Sequence, residues 1–386
     1  MAYLVIGLGP PALFLIRELT KSGERVYAIG KANDIGLHSR YGKKYTVQDL
    51  SELRETVNRI VSETHNNGDY LRTYIASSVF LDWILREWPG CFEELEVIGP
   101  APSLLRKLNR KTDASLFFST FGIGHPKFWP FCQYEEINSF PVILKWNSNL
   151  YCADAYQGTI PKTIIINNED ELLRVVRDVE QLGHSVKADL MFQEFLSSSD
   201  VRELGYGAFY HSGRELMSII VEQARQYPRG VTSYAVECIG EESDGIRSRF
   251  AGILQKMNYS GFIEIDFLYS KVTNEILLLD VNPRVWGHIK ILGKKYVNFA
   301  DCITGSAAKG VSVSRPVQWV DFHRDVVAVM RNQRRSPSFK QFFNDVRSVL
   351  RIGTAVNTFE FSDPKPFLWG IPKKVLFQYL QARQRQ

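Results

Sequence analysis

The feature that most constrains this chain is an apolar segment with acids inside it, at residues 261–287 (GFIEIDFLYSKVTNEILLLDVNPRVWG). Alternating side chains and turn-forming residues predict two strands, 262–269 and 275–281, joined by a short turn. The apolar runs of both strands favour burial rather than a solvated surface. The segment therefore predicts a buried hairpin that carries carboxylates.

The polar side chains of this hairpin predict a metal site. Side chains alternate between the two faces of a strand, so Glu264 and Asp266 share a face, and Asp280 and Asn282 share a face. A hairpin centred in the turn places Asp266 opposite Asp280, where two carboxylates repel each other unless a cation lies between them. Carboxylate and amide oxygens without His or Cys suit Mg²⁺ or Mn²⁺, with Asp266, Asp280 and Asn282 as ligands. The alternative is a solvated hairpin with acids at its edge.

These residues carry a resemblance to a known family. The segments IDFLY and LDVNPR, with Asp266, Asp280, Asn282 and Arg284, resemble the metal-binding end of the ATP-grasp superfamily. Asp280 stands where that superfamily more commonly has Glu. The resemblance implies an α/β ATP-grasp fold with a Rossmann-like N-terminal domain, and it implies ATP and Mg²⁺ (or Mn²⁺) as ligands.

Two lysines upstream match positions that contact nucleotide phosphates in that superfamily. Lys145 ends the run FPVILK, and a lysine at the end of such a run is costly to bury unless an anion meets it. Lys111 matches the earlier nucleotide lysine. An ordinary salt bridge at Lys145 and a solvated basic helix face at Lys111 are the alternatives.

The segment MFQEFL resembles the hinge strand that binds adenine through its backbone, which assigns Gln193, Glu194 and Leu196 to the nucleotide. The following segment resembles the source of a ribose-binding acid, and both Glu203 and Asp200 are candidates. Between Lys145 and Lys162 the superfamily has a glycine-rich lid, but this chain has one glycine there.

The first hundred residues alternate strand and helix, which predicts a small doubly wound sheet. The sequence GLGPPA at residues 7–12 matches G-x-G-x-x-A and raises the alternative of a nicotinamide or flavin site. The second predicted strand ends in Ala-Ile-Gly-Lys without the acid that such a site needs. A dinucleotide is therefore not expected.

Three further residues are assigned to catalysis. Arg284 and Arg225 are expected to hold an acyl phosphate, because forked guanidiniums suit such anions. His288 is either a base for the incoming ammonium or a packing histidine. Together with the segments SRY and FSDPKP, the region around Arg225 resembles the branch of ATP-grasp proteins grouped with D-aspartate ligase.

The C-terminal part is basic. Residues 315–386 contain 13 Lys or Arg and 5 Asp or Glu, although the whole chain has a net charge of only +5. Helices are predicted at 320–332, 338–350 and 373–383. Interleaved aromatic residues leave open a peripheral membrane contact, packing onto the enzyme, or a homodimer. The predicted domains are the Rossmann-like domain 1–105, the small lid-bearing subdomain 106–192, the large metal-bearing subdomain 193–312 and the mostly helical extension 313–386.

Composition places the chain among cytoplasmic enzymes. Five scattered cysteines without C-x-x-C spacing argue against disulfides and zinc. No apolar run reaches 18 residues, no secretion signal begins the chain, and no nucleic-acid motif is present.

The functional prediction is an ATP-dependent ligase that activates a carboxylate as an acyl phosphate, forms ADP, and joins the acyl group to an amine. The expected partners are small-molecule carboxylate and amine substrates. The alternative is a non-catalytic or regulatory nucleotide-binding protein on the same fold, which the glycine-poor lid favours. A nicotinamide oxidoreductase is a third and weaker hypothesis.

Overall fold

The computed structural model of the chain describes residues 1–148, 160, 162–196, 200–228, 230–335, 344, 347 and 353–370. Most of the predicted lid, most of the predicted helix 338–350 and all of the predicted helix 373–383 lie outside the described residues, as does residue 229. The described chain forms a five-stranded, a four-stranded and a seven-stranded sheet.

The N-terminal sheet is parallel and doubly wound, as predicted. Its strands, in chain order, are β1 (Ala2–Ile6), β2 (Arg25–Lys31), β3 (Lys43–Val47), β4 (Leu71–Ile75) and β5 (Glu96–Val97), and their spatial order is β3-β2-β1-β4-β5. The helices of this part are α1 (Pro10–Lys21), α2 (Leu53–Asn66), α3 (Ser78–Glu87), α4 (Cys91–Glu94), α5 (Pro102–Leu108) and α6 (Lys111–Ser119). The central strand β1 is fully buried, which explains its unbroken apolar run. Strand β3 was not predicted, because this half-exposed edge strand begins with two lysines.

The four-stranded sheet has the order β6-β9-β7-β8. Its strands are β6 (Phe128–Pro130), β7 (Val142–Trp146), β8 (Thr163–Ile166) and β9 (Leu190–Glu194), and its helices are α7 (Glu169–Glu180) and α8 (His184–Ala188). Helix α7 begins after Asn168, whose side chain accepts a hydrogen bond from Glu171 N, and it buries Leu172, Val176 and Val179 against the sheet. Strand β7 carries Lys145 and strand β9 carries Gln193, so the sheet brings these two residues together.

The seven-stranded sheet has the order β14-β13-β10-β11-β12-β15-β16. Its strands are β10 (Val201–His211), β11 (Arg214–Gln226), β12 (Thr232–Glu237), β13 (Gly261–Ser270), β14 (Glu275–Asn282), β15 (Gln318–Val320) and β16 (Ala355–Val356). The helices are α9 (Glu241–Lys256), α10 (Lys290–Lys295), α11 (Phe299–Thr304) and α12 (Phe322–Arg335). The predicted hairpin is confirmed as β13 and β14, and Asp266 lies directly opposite Asp280.

The C-terminal extension contributes strands as well as helices. Strands β15 and β16 pair with each other and join the large sheet through β12, so the predicted helix start at Val320 was wrong by two residues. Because these strands are two or three residues long, their sequence carries no period-two signal. The large sheet therefore extends beyond the predicted boundary at 312/313; the domain boundaries themselves remain predictions.

A strap at residues 355–363 ties this extension to the N-terminal part. Arg17 of α1 is buried and donates to Asp363 Oδ2 at 3.0 Å and to Thr358 O at 3.0 Å. Lys290 of α10 donates to Val356 O at 3.0 Å and to Phe359 O at 2.7 Å. The strap thus joins α1 to the segment that follows the β13–β14 hairpin. Within the described residues, none of the helices is long and apolar enough to cross a membrane.

Candidate active site

A cavity of about 440 Å³ lies between the four-stranded and the seven-stranded sheet, and the start of α1 lines it as well. It brings together most of the side chains that the sequence assigned to a site. The predicted residues that line it are Lys111, Lys145, Gln193, Glu194, Leu196, Glu203, Asp266, Asp280, Asn282, Arg284 and His288. Asp200 and Arg225 do not line it.

The opposed carboxylates of the hairpin face this cavity. Asp266 and Asp280 occupy one cross-strand pair, and Gln223 Nε2 donates to Asp266 Oδ1 at 2.7 Å. Burial raises the pKa of Asp266 well above its usual range, and repulsion from Glu264 and Asp280 adds to the rise. The site therefore concentrates negative charge where a bound cation would relieve it.

The hypothesis of a metal site rests on two carboxylates and one amide, Asp266, Asp280 and Asn282, rather than on a cluster of three acids. Within the described residues, no group of three or more His, Cys, Asp and Glu side chains is arranged to hold a metal ion. Two carboxylates and an amide are a donor set that Mg²⁺ accepts when substrate phosphates complete its coordination. The residues present therefore fit a Mg²⁺ ion that is bound together with a polyphosphate.

A chain of hydrogen bonds orients Asn282. Its Nδ2 donates to Glu264 Oε2 at 3.1 Å, and its Oδ1 accepts from Arg284 Nη2 at 2.7 Å. Arg284 also donates to Val285 O at 2.9 Å. The amide of Asn282 is thereby held in one orientation. Glu264 had been placed on the face of Asp266 by strand periodicity, but it had not been assigned to the site.

His288 is buried against Glu264. Its Nε2 lies 3.2 Å from Glu264 Oε1, and its ring centroid lies 5.7 Å from that of Trp319. Burial lowers the pKa of His288 to about 4, and burial raises the pKa of Glu264 to about 7. His288 is therefore neutral at pH 7, and its contact with Glu264 is not an ion pair.

Lys145 is a half-buried amine without a carboxylate in ion-pair distance among the described residues. Its Nζ donates to Gln193 Oε1 at 2.7 Å and to Leu279 O at 3.2 Å, which are both neutral groups. Burial, together with the nearby charge of Lys111, lowers the pKa of Lys145 to about 7. The ordinary salt bridge weighed as an alternative is not formed, and the site has room for an anion here.

Lys111 begins helix α6 and is buried at 8% exposure. A positive side chain is unfavourable at a helix N-terminus unless an anion compensates it. Its Nζ lies 3.5 Å from Asp280 Oδ1. Lys111 is therefore part of the cavity and not part of a solvated basic face.

The remaining nucleotide candidates line the same cavity. Glu194 Oε2 accepts from Lys127 N at 3.3 Å, and Glu203 Oε1 accepts from Gln226 Nε2 at 2.8 Å. Asp200 is exposed in the turn before β10. Of the two acids considered for a ribose, the structure brings Glu203 and not Asp200 into the cavity.

Arg225 lies outside the cavity because Asp325 of α12 occupies its guanidinium. Its Nε donates to Asp325 Oδ1 at 2.8 Å and its Nη2 donates to Asp325 Oδ2 at 2.7 Å, while the guanidinium stacks 4.1 Å above the ring of Tyr234. A fully used guanidinium of this kind anchors α12 to the large sheet. The structure does not bring Arg225 into the cavity, and a role with an acyl phosphate stays a prediction.

The C-terminal segment lines part of the cavity that the sequence had not assigned. Trp319, Asp321 and Arg324, which lie in β15 and at the start of α12, face it together with Asn357 of the strap. We call these four residues the C-terminal wall. No local pattern links them to the hairpin, because they are separated from it by dozens of residues and reach it only through sheet pairing and the strap.

Comparison with known proteins bears on the fold. An N5-carboxyaminoimidazole ribonucleotide synthetase solved as an ADP complex aligns over 90% of this chain and 96% of its own length, with a TM-score of 0.65 and 12% identity. This chain has the ATP-grasp fold. The fold predicted from the sequence is thus confirmed.

Two biotin carboxylases share this ATP-grasp fold. The biotin carboxylase domain of Hydrogenobacter thermophilus 2-oxoglutarate carboxylase, solved as a dimer with MgADP, ADP and bicarbonate, aligns over 77% of this chain at 16% identity and a TM-score of 0.58. This chain spans 66% of that domain's length. The Campylobacter jejuni biotin carboxylase, solved with β,γ-ATP, aligns over 81% of this chain and 72% of its own, with 13% identity and a TM-score of 0.60.

Comparison of the sequence itself found no relative of this chain. No protein-family model matches the chain, and a search of curated proteins finds no match. At 12–16% identity the structural likeness establishes the fold. The chemistry must be argued from the cavity itself.

Proposed function

We propose that this protein is an ATP-dependent ligase that forms ADP and joins a carboxylate to an amine. One observation carries the proposal. The same cavity holds Lys145, which has no carboxylate partner among the described residues, and the opposed carboxylates of Asp266 and Asp280. A Mg²⁺-bound polyphosphate satisfies both, because its oxygens neutralise lysine while its metal neutralises the acids.

The nucleotide is proposed to lie between the two sheets. Lys111 and Lys145 contact its phosphates, since both are cations in the cavity wall. Gln193, Glu194 and Leu196 flank the base, and Glu203 accepts from the ribose hydroxyls. Support for this placement comes from the two neighbouring structures solved with ADP, although those ligands belong to those proteins.

The metal is proposed to be held by Asp266, Asp280 and Asn282. When bound, Mg²⁺ (or Mn²⁺) supplies positive charge at the transferring phosphoryl group. Glu264 keeps the Asn282 amide oriented, and Arg284 adds a fixed cation on the same side. Glu264 therefore positions a proposed metal ligand, and Arg284 contributes positive charge beside it.

The proposed reaction has two steps. A substrate carboxylate oxygen attacks the γ-phosphorus of ATP, the bond from that phosphorus to the bridging oxygen of ADP breaks, and an acyl phosphate forms. An amine nitrogen then attacks the acyl carbon, and inorganic phosphate leaves. Arg284 holds the acyl phosphate, and neutral His288 accepts the proton that the ammonium must lose.

The substrates proposed first are those of the branch that the sequence resembles, the ATP-grasp proteins grouped with D-aspartate ligase. Amino acids therefore lead the candidates for the amine or the carboxylate. We propose a cytoplasmic enzyme that acts on small molecules, with a homodimer as one arrangement to test.

A screen of ADP release tests the proposal. Purified protein is incubated with MgATP and pairs of carboxylates and amines, and ADP is measured by a coupled assay. We expect one or more pairs to raise ADP release at least tenfold above ATP alone. Tight MgATP binding without ADP release for any pair supports the non-catalytic alternative instead, and absence of MgATP binding contradicts both.

A variant control keeps the screen specific. Asp280→Asn removes a proposed metal ligand with little change in volume, so ADP release should fall at least a hundredfold. Arg54→Gln changes an exposed arginine paired with Glu94 and should behave as wild type. Equal activity of Asp280→Asn and wild type would refute the metal assignment.

A further inference from the structure

The C-terminal wall (Trp319, Asp321, Arg324 and Asn357) lies next to His288 in the cavity. The ring centroids of His288 and Trp319 are 5.7 Å apart. Lys145, in contrast, contacts Gln193 and Leu279 O. The wall therefore adjoins the part of the cavity where the proposed function places the second substrate.

The wall is held rigidly. Asp321 is 1% exposed and accepts from Asn357 Nδ2 at 3.0 Å and from Arg324 N at 3.3 Å. Asn357 N donates to Val320 O at 2.8 Å, and Asp321 N donates to Ser233 O at 2.8 Å. A buried carboxylate thus fixes both the strap and the first turn of α12.

The two arginines that line the cavity, Arg284 and Arg324, differ in how many of their guanidinium N–H groups donate hydrogen bonds. Arg284 donates to Asn282 Oδ1 and to Val285 O. In the described part of the chain, the guanidinium of Arg324 has no hydrogen bond, and its Nε lies 3.7 Å from Asp321 Oδ2. An arginine in a cavity wall with an open guanidinium suits an anion with two oxygens.

We propose that Arg324 binds a carboxylate of the second substrate, at a group other than the one that reacts. This assignment rests on the proposed function, because it places the second substrate beside His288. Asp321 partly neutralises the guanidinium, so a singly charged carboxylate fits better than a doubly charged phosphate. The indole of Trp319 and the rings of Pro10 and Pro11 supply apolar wall for the rest of the ligand.

Binding experiments test this subsite independently of turnover. MgADP is first titrated into wild type, Arg324→Gln and Arg54→Gln by calorimetry, and all three should bind it equally. With MgADP saturating, succinate, aspartate, glycine and inorganic phosphate are then titrated separately, at constant ionic strength. We expect a saturable carboxylate whose Kd rises at least tenfold in Arg324→Gln and stays unchanged in Arg54→Gln.

The outcomes separate this inference from the proposed function. Loss of MgADP binding in wild type overturns the proposed function. Normal MgADP binding with an unchanged carboxylate Kd in Arg324→Gln, or with no carboxylate bound up to tens of millimolar, overturns the subsite alone. Tighter binding of phosphate than of any carboxylate, with the same dependence on Arg324, overturns the choice of a carboxylate. The amide of the best carboxylate should bind wild type and Arg324→Gln equally.

Discussion

At the scale of single residues, Asp266 combines a stability penalty with a proposed function. Its carboxylate is buried opposite Asp280 and near Glu264, and its pKa is raised well above its usual range. A carboxyl whose pKa is raised by folding destabilises the protein above the unfolded pKa, and the penalty grows until the folded pKa is reached. The ligand-free protein is thus less stable at neutral pH because of this carboxylate, and a metal bound to it would remove the penalty.

Asp266→Asn is therefore expected to stabilise the ligand-free protein while abolishing turnover. The free energy of unfolding at pH 7 should rise, because Asn places no charge at this position. The gain should shrink as the pH falls toward 4, where the unfolded carboxyl also becomes protonated. Denaturant unfolding at several pH values measures this, with the exposed Asp301→Asn as control. A less stable Asp266→Asn protein at pH 7 contradicts the argument.

Lys145 is expected to take up a proton when ATP binds. Burial lowers its pKa to about 7, so the free protein has a largely neutral Lys145 at pH 8, whereas phosphate oxygens favour the charged form. At a pH between the folded pKa near 7 and the ordinary lysine pKa of 10.5, binding should take up about 0.5–1 proton. Calorimetry in EDTA with buffers of different ionisation enthalpy measures the uptake. Lys145→Met should abolish the proton uptake, and Lys309→Met, at an exposed lysine, should not change it. Proton uptake that persists in Lys145→Met would count against a phosphate at Lys145.

At the scale of elements, strand β10 packs against the segment that follows the β13–β14 hairpin. Gly207 of β10 lies under Trp286, and a Cβ at Gly207 would come within 2.5 Å of Trp286 Cζ2. Trp286 is fully buried and stands between Arg284 and His288 in the chain. The glycine therefore lets the strand approach the segment that carries two proposed catalytic residues.

Gly207→Ala is expected to destabilise the protein by about 1–3 kcal/mol, as overpacking of a core does, and to lower turnover by displacing Trp286. Gly252→Ala in α9 is the matched control, because nothing lies within 4 Å of its Cβ. That change should instead stabilise by about 0.5–1 kcal/mol, since Gly is unfavourable inside a helix. Thermal unfolding and ADP release measure both variants. Wild-type stability and activity in Gly207→Ala would show that Trp286 has room to move.

At the scale of the whole molecule, the strap joins the N-terminal and C-terminal ends of the described chain. Asp363 accepts from Ser39 Oγ at 2.6 Å, from Arg40 N at 3.1 Å and from Arg17. Burial alone would raise the pKa of Asp363, but these hydrogen bonds hold it below its usual value. The stability that they add is present above the unfolded pKa and is lost as the pH falls through the folded pKa.

Asp363→Ala is expected to cost about 1–3 kcal/mol, because buried Arg17 loses one of its two carboxylate partners and keeps Glu360 at 3.1 Å. Since the strap carries Asn357 into the cavity, the KM for the second substrate should rise more than the Kd for MgATP. Glu63→Gln, which alters an exposed pair with Lys43, should change stability by less than about 1 kcal/mol. Equal weakening of both ligands in Asp363→Ala would indicate a general loss of structure instead.

The sequence by itself determined the local parts of this site. Strand periodicity and turn residues predicted the β13–β14 hairpin and the opposition of Asp266 and Asp280, because register within a short hairpin depends on neighbouring residues. The run before Lys145 predicted a buried lysine for the same local reason. The resemblance of the hairpin segments to the ATP-grasp superfamily then implied the fold.

Only the tertiary structure decided which polar groups are already satisfied and which face the cavity. Arg225 is held by hydrogen bonds to Asp325, whereas among the described residues the guanidinium of Arg324 has only a 3.7 Å ion pair with Asp321. Asn357 reaches the cavity only because a strap held by Arg17 and Lys290 crosses the molecule. Such partners lie tens to hundreds of residues apart, so no local pattern encodes them, and they exist only when the sheets have packed together.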